Sequence, residues 1–139
     1  HSTPTTDDPW DGPMMDSRCP ADEGHLMASH AWRDDEGDLD AKSSYKFIHH
    51  MIAMDGEVGA ANVNACASGR AVLRGGRGGS SIPADDKPGV WDHLARHERD
   101  HGREVPSWEE AMAEDERQAA AEVELERERA DADRRRRVA

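Results

Sequence analysis

Three histidines, His93, His97 and His101, recur at intervals of four residues. On a helix, residues four apart are neighbours on one face. Two histidines at that spacing can grip zinc, as in the H-E-x-x-H motif. In His93-Leu-Ala-Arg-His97 the glutamate of that motif is absent, so a metalloprotease would lack its general base. No cysteine lies close in sequence. The expectation is therefore a histidine-bearing amphipathic helix with no metal ligands. Metal binding through His93, His97 and His101 is the alternative reading.

Other chemistry-bearing strings are weaker. Asp34, Glu36, Asp38 and Asp40 could offer oxygens to calcium, but an EF-hand loop needs glycine at its sixth position and glutamate at its twelfth. Gly37 is fourth from Asp34, so a solvated acidic turn is expected. The run Gly75-Gly-Arg-Gly-Gly79 lacks the Lys-Ser or Lys-Thr pair that a phosphate-cradling P-loop requires. It reads as a flexible connector. Cys19 and Cys66 match no C-x-x-C pattern and are expected to be free thiols in a reducing compartment. No G-x-S-x-G elbow surrounds Ser43, Ser44, Ser68 or Ser80. No catalytic residue, cofactor or metal ligand is assigned.

The elements that hold these residues divide into three parts. Most bulky apolar residues that could form a core fall in residues 42–101: Tyr45, Phe47, Ile48, Met51, Ile52, Val63, Leu73, Ile82, Val90, Trp91 and Leu94. Residues 1–25 read as an extended arm, since prolines fix φ and remove donors. Trp10 is the arm's large apolar anchor. His1 is a poor natural start, which suggests processing or removal of upstream residues. Residues 26–102 read as a compact α+β module. Alternation of Leu26, Ala28, His30 and Trp32 predicts a strand. The acidic turn and a second strand, residues 44–52, complete a hairpin. That alternation places His49 and His50 on opposite faces. Val63, Cys66, Arg70 and Leu73 predict a helix over 59–74. A second helix follows Ile82, with Val90, Leu94, His97 and His101 on one stripe and Gly102 as its stop.

Residues 103–139 read as a charged helical arm. Ser107-Trp-Glu-Glu110 fits a capping box, and no proline or glycine interrupts the chain from there on. Trp108, Met112, Ala119, Val123 and Ala130 make a thin apolar stripe without sustained heptads. Such a helix projects into solvent or docks on a partner.

Composition bounds the partners. The chain has 139 residues, 35% of them apolar and 35% charged, with a formal charge of −12. That sign opposes non-specific nucleic-acid binding, despite the terminal run Arg134 to Arg137. No apolar run approaches the ~20 residues of a membrane span.

The strings Trp10-Asp-Gly-Pro13, His30-Ala-Trp32, Ser43-Ser-Tyr-Lys-Phe-Ile-His-His50, Gly59-Ala-Ala-Asn62, Arg74-Gly-Gly-Arg-Gly-Gly79, Ile82-Pro83 and His93-Leu-Ala-Arg-His97 together resemble a module of head-maturation (prohead) protease polypeptides from tailed actinobacterial phages. There the module lies apart from the protease core. The resemblance covers roughly residues 2–106 and leaves out the charged helix. It implies a bacteriophage head protein, not an enzyme, that binds the capsid shell as a minor capsid or decoration protein. A processed fragment of a protease or scaffold polypeptide is the alternative. The expected partners are the major capsid protein and further copies of the chain, with Trp10, Trp108 and Met112 as contact residues. The expected location is the virion, and neither membrane nor nucleic acid is an expected partner.

Overall fold

The structure is a computed structural model that describes residues 3–138. His1, on which the processing expectation rests, lies outside the described residues. The chain forms two compact units that divide after Val105. The first is α+β, and the second is one long helix.

In the first unit the elements run β1 (Thr5–Thr6), α1 (Gly12–Arg18), α2 (Glu23–Ser29), β2 (His30–Arg33), β3 (Tyr45–Ile48), β4 (His50–Ile52), β5 (Val58–Asn62), α3 (Val63–Leu73) and α4 (Lys87–Asp100). Strand β5 lies between β1, to which it is parallel, and β4, to which it is antiparallel. Strands β2 and β3 form a separate antiparallel hairpin, with His30 opposite Ile48 and Trp32 opposite Lys46.

The N-terminal arm expected over residues 1–25 is instead part of the fold. Thr5 pairs with Ala61 and Thr6 with Asn62. The turn formers that suggested an arm are helix starters here. Asp11 caps α1 by accepting from the Met14 N–H at 3.0 Å, and Pro13 sits in its first turn. Asp22 caps α2 by accepting from the His25 N–H at 2.9 Å. These two short helices deliver Met15, Cys19 and Leu26 into one core with Tyr45 and Ile52, and Trp10 packs against it.

Three other boundaries differ from expectation. The strand expected over 26–33 begins only at His30, because the Asp22 cap commits the preceding residues to α2. The helix expected over 59–74 begins at Val63. Asn62 sets that start: its side-chain oxygen accepts from the N–H groups of Asn64 (2.9 Å) and Ala65 (3.1 Å). The strand expected over 44–52 is two strands, broken at His49.

The hairpin and its acidic turn agree with expectation. Asp34 accepts from the Glu36 N–H and Asp38 from the Asp40 N–H, each at 3.0 Å. Asp40 accepts from the Glu23 N–H at 2.9 Å. These carboxylates shape a surface turn.

Helices α3 and α4 pack together through a glycine. A Cβ at Gly69 would stand 2.8 Å from Leu94 Cδ1 and 3.2 Å from Phe47 Cδ1, so any side chain there would force these neighbours to shift. Gly75, at φ 102°, ends α3 in the left-handed region. Val90, Trp91 and Leu94 of α4 are buried, as its stripe predicts. Gly102, at φ 93°, follows the end of α4.

The second unit contains α5, Trp108–Val138, 31 residues long. Ser107 Oγ accepts from the Glu110 N–H at 3.1 Å, which is the expected cap. Ion pairs such as Arg137 with Asp133, 3.1 Å apart, run along the helix.

Candidate functional site

The site is a cluster of four histidines where the two sheets and α4 meet. His49, His50 and His97 each offer a ring nitrogen within 4.8 Å of the others. In a regular strand, consecutive side chains point to opposite faces. Here the break at His49 removes that alternation. Phe47 adopts φ 64°, a costly conformation for a bulky residue. The turn swings the chain from one sheet to the other. The His49 N–H donates to Ser29 O at 2.9 Å, and His49 O accepts from the Asn62 N–H at 2.7 Å. As a result the His49 and His50 rings lie 4.5 Å apart.

Helix α4 supplies the other two. The His97 ring lies 5.1 Å from that of His49 and 5.6 Å from that of His50. His93, one turn earlier and at the solvent rim, is 5.0 Å from both His49 and His97. The Nε2 atoms of His93 and His49 are 3.1 Å apart.

Backbone carbonyls orient two of the rings. His49 Nδ1 donates to Phe47 O at 3.0 Å, and His50 Nδ1 donates to Gly59 O at 2.8 Å. A carbonyl only accepts, so in the neutral rings the proton sits on Nδ1 and the lone pair on Nε2. His97 is 7% exposed, yet neither of its ring nitrogens has a hydrogen-bond partner. Buried polar atoms are rarely left so.

Burial keeps these rings neutral. It pushes His49 well below the usual histidine range, with the neighbouring His50 adding to the effect. Burial also lowers His50. Desolvation and then His50 lower His93. His97 is pushed down to about 4, by burial first and then by His93 and His50. A neutral imidazole is the form that ligates metals.

The sequence grouped His101 with His93 and His97, and the structure separates it. His101 Nδ1 is 2.9 Å from Thr5 Oγ1, at the β1 strand. His49 and His50 join the cluster instead. Only the His-His dipeptide itself signalled them, and nothing local announced the strand break.

The contact residues expected from sequence are dispersed. Trp10 is half-buried against its own core and lines a cleft with Asn64, Ser68 and Arg77. Trp108 and Met112 lie half-buried in the second unit.

Two further features bear on chemistry. Glu98, 1% exposed, forms a two-pronged ion pair with Arg70, one contact at 2.8 Å. This pair joins α4 to α3. Cys19 and Cys66 are free and buried, and burial beside Glu98 pushes the Cys66 thiol up to about 12. Ser29 Oγ is 2.9 Å from His30 Nδ1, but Ser29 is fully buried, and Oγ donates to His25 O at 2.8 Å.

No family model matches the chain, and no curated protein or solved structure matches it either. Among the described residues, no helix is long and apolar enough to cross a membrane.

Proposed function

We propose that this chain is a non-enzymatic bacteriophage head protein that binds the capsid shell, as a minor capsid or decoration protein, through its long helix. The observation that carries this reading is α5. Of its 31 residues, Ala111 is the buried one, and acids, arginines and alanines make up most of the others. A helix with so thin an apolar stripe gains little from burial within its own chain. Such a helix suits a protein partner that covers one of its sides. Trp108 and Met112 are its large apolar groups near the start, and tryptophan is enriched among interface hot spots.

Two observations support the rest. The strings that resemble the phage-head module include buried residues of the first unit: Tyr45, His50, Asn62, Ile82 and His97. The likeness therefore concerns a folded unit rather than surface composition. The nucleophile candidates favour a non-enzymatic role. Cys66 is an inert buried thiol, and Ser29 is fully buried. The proposed partners are the major capsid protein and further copies of the chain, within the virion. The net charge of −12 argues against nucleic acid. A fragment of a maturation-protease or scaffold polypeptide would share the same module but leave the particle on maturation.

The test is co-sedimentation with empty shells of the full chain and of a chain ending at Val105. The full chain should pellet with shells and the truncated chain should stay in solution. Equal pelleting of both would overturn the role given to α5.

A further inference from the structure

We propose that His49, His50, His97 and His93 form a binding site for one divalent transition-metal cation of the zinc class. The ion would tie α4 to the point where the chain crosses between the two sheets. This goes beyond the proposed shell binding and does not depend on it.

Four observations converge. First, three ring nitrogens from two different elements lie within 4.8 Å of one another. Zinc binds imidazole nitrogens at ~2.0–2.1 Å in a tetrahedron, which places ligand nitrogens about 3.3 Å apart. The His93 and His49 Nε2 atoms, 3.1 Å apart, already match one edge of such a tetrahedron. Second, His49 and His50 each donate Nδ1–H to a backbone carbonyl, which leaves the Nε2 lone pair free to ligate. Metal-ligating histidines show this outer hydrogen bond almost always. Third, His97 is buried with both ring nitrogens unpartnered. A cation would satisfy one of them, and nothing else in the cluster does. Fourth, His93 and His97 stand one turn apart on the same face of α4, with ring centroids 5.0 Å from each other.

The donor set selects the metal class. An all-imidazole site suits zinc, copper, nickel or iron rather than magnesium or calcium, which prefer oxygen. Charge is partly balanced locally. Asp92 and Asp100 of α4 act favourably on His93 and His97, against Arg96. The division of labour follows burial. His49, His50 and His97 are buried and form the base, while exposed His93 closes the fourth position at the entry side. The role assigned is structural: the ion clamps α4 across a junction whose backbone at Phe47 is strained.

The test uses the full chain without an affinity tag, stripped with chelator and loaded with zinc or cobalt(II). Metal content is measured after desalting, alongside thermal melts and cobalt visible spectra. The expected result is one zinc per chain, a melting temperature that rises with zinc concentration, and the intense visible bands of four-coordinate cobalt. His97→Gln should fold, by circular dichroism, and retain no metal. His93→Ala changes only an exposed rim residue, so it tests the site even if His97→Gln fails to fold. It should weaken zinc binding on the order of tenfold or more, since removal of an outer-shell partner alone costs that much. Absence of retained zinc with an unchanged melt would overturn the proposal. So would zinc binding unaltered by His93→Ala, which would remove His93 from the ligand set and refute the four-histidine site.

Discussion

His49 and His50 are consecutive in the chain, yet their rings stand 4.5 Å apart at 60° in one cluster. A regular strand would send them to opposite faces. The single positive-φ residue before them, Phe47, makes the difference. The same crossing anchors His49 to Ser29 on one side and Asn62 on the other, so the cluster is pinned to both sheets.

Gly69 sets how closely α4 approaches that crossing. Gly69→Val would drive side-chain atoms into Leu94 and Phe47. Overpacking of this kind costs roughly 1–3 kcal/mol. Urea unfolding should show a lowered midpoint with an unchanged slope. An unaltered midpoint would mean that α3 and α4 do not pack as described.

Asn62 separates two functions that a single substitution can pull apart. Its oxygen caps α3, while its nitrogen donates to Asp8 O at 2.9 Å. Asn62→Asp keeps the cap and loses the donor. It should preserve helix content but speed proteolysis between residues 3 and 11. Asn62→Ala should also lose about 1 kcal/mol of stability through the cap. Equal protease resistance in Asn62→Asp and the unchanged chain would refute the tie to the N-terminal segment.

Glu98 and Arg70 form the buried ion pair between α4 and α3. Removing one partner of such a pair leaves an uncompensated charge and costs about 3–5 kcal/mol. Glu98→Ala should fall in the lower part of that range, because the Arg70 it leaves behind is 17% exposed and can rehydrate. Arg70→Ala, which strands the more deeply buried charge, should be at least as damaging, and the double variant Arg70→Met with Glu98→Leu should recover much of the loss. Additive effects in a double-mutant cycle would contradict direct pairing.

Acid should destabilise the metal-stripped chain through its histidines. Burial holds His97 at about 4 in the fold, against 6.5 ordinarily, and lowers His49 and His50 in the same direction. Between those values the unfolded chain binds more protons than the folded one, so stability rises with pH. It should be complete above about 6.5 and fall progressively as pH drops toward about 4. Charged neighbours Asp92, Arg96 and Asp100 on α4 shift the window without reversing its sign. Flat stability across that range would mean the rings are not buried as described.

Patterns of hydrophobicity revealed the hairpin, the buried stripe of α4 and the Ser107 start of α5, because each depends on local periodicity or a cap. They misread residues 1–25, where the prolines suggest an extended arm although Asp11, Pro13 and Asp22 each start a helix. Only long-range partners decide between those uses: Ala61 for Thr5, and the core of Tyr45 and Ile52 for Met15. The histidine site was half legible. His93 and His97 follow helical spacing, whereas His49 and His50 required knowledge of a strand break that Phe47, a strong strand former, does not advertise. His101 was lost from the set because α4 ends there and its ring turns to Thr5.

The central claim is that this chain belongs to a phage capsid shell, and the most direct measurement is its copy number in purified mature particles. Quantitative mass spectrometry should give a fixed stoichiometry to the shell protein that survives high-salt washing. Particles that carry the chain only before maturation, or never, would contradict the account.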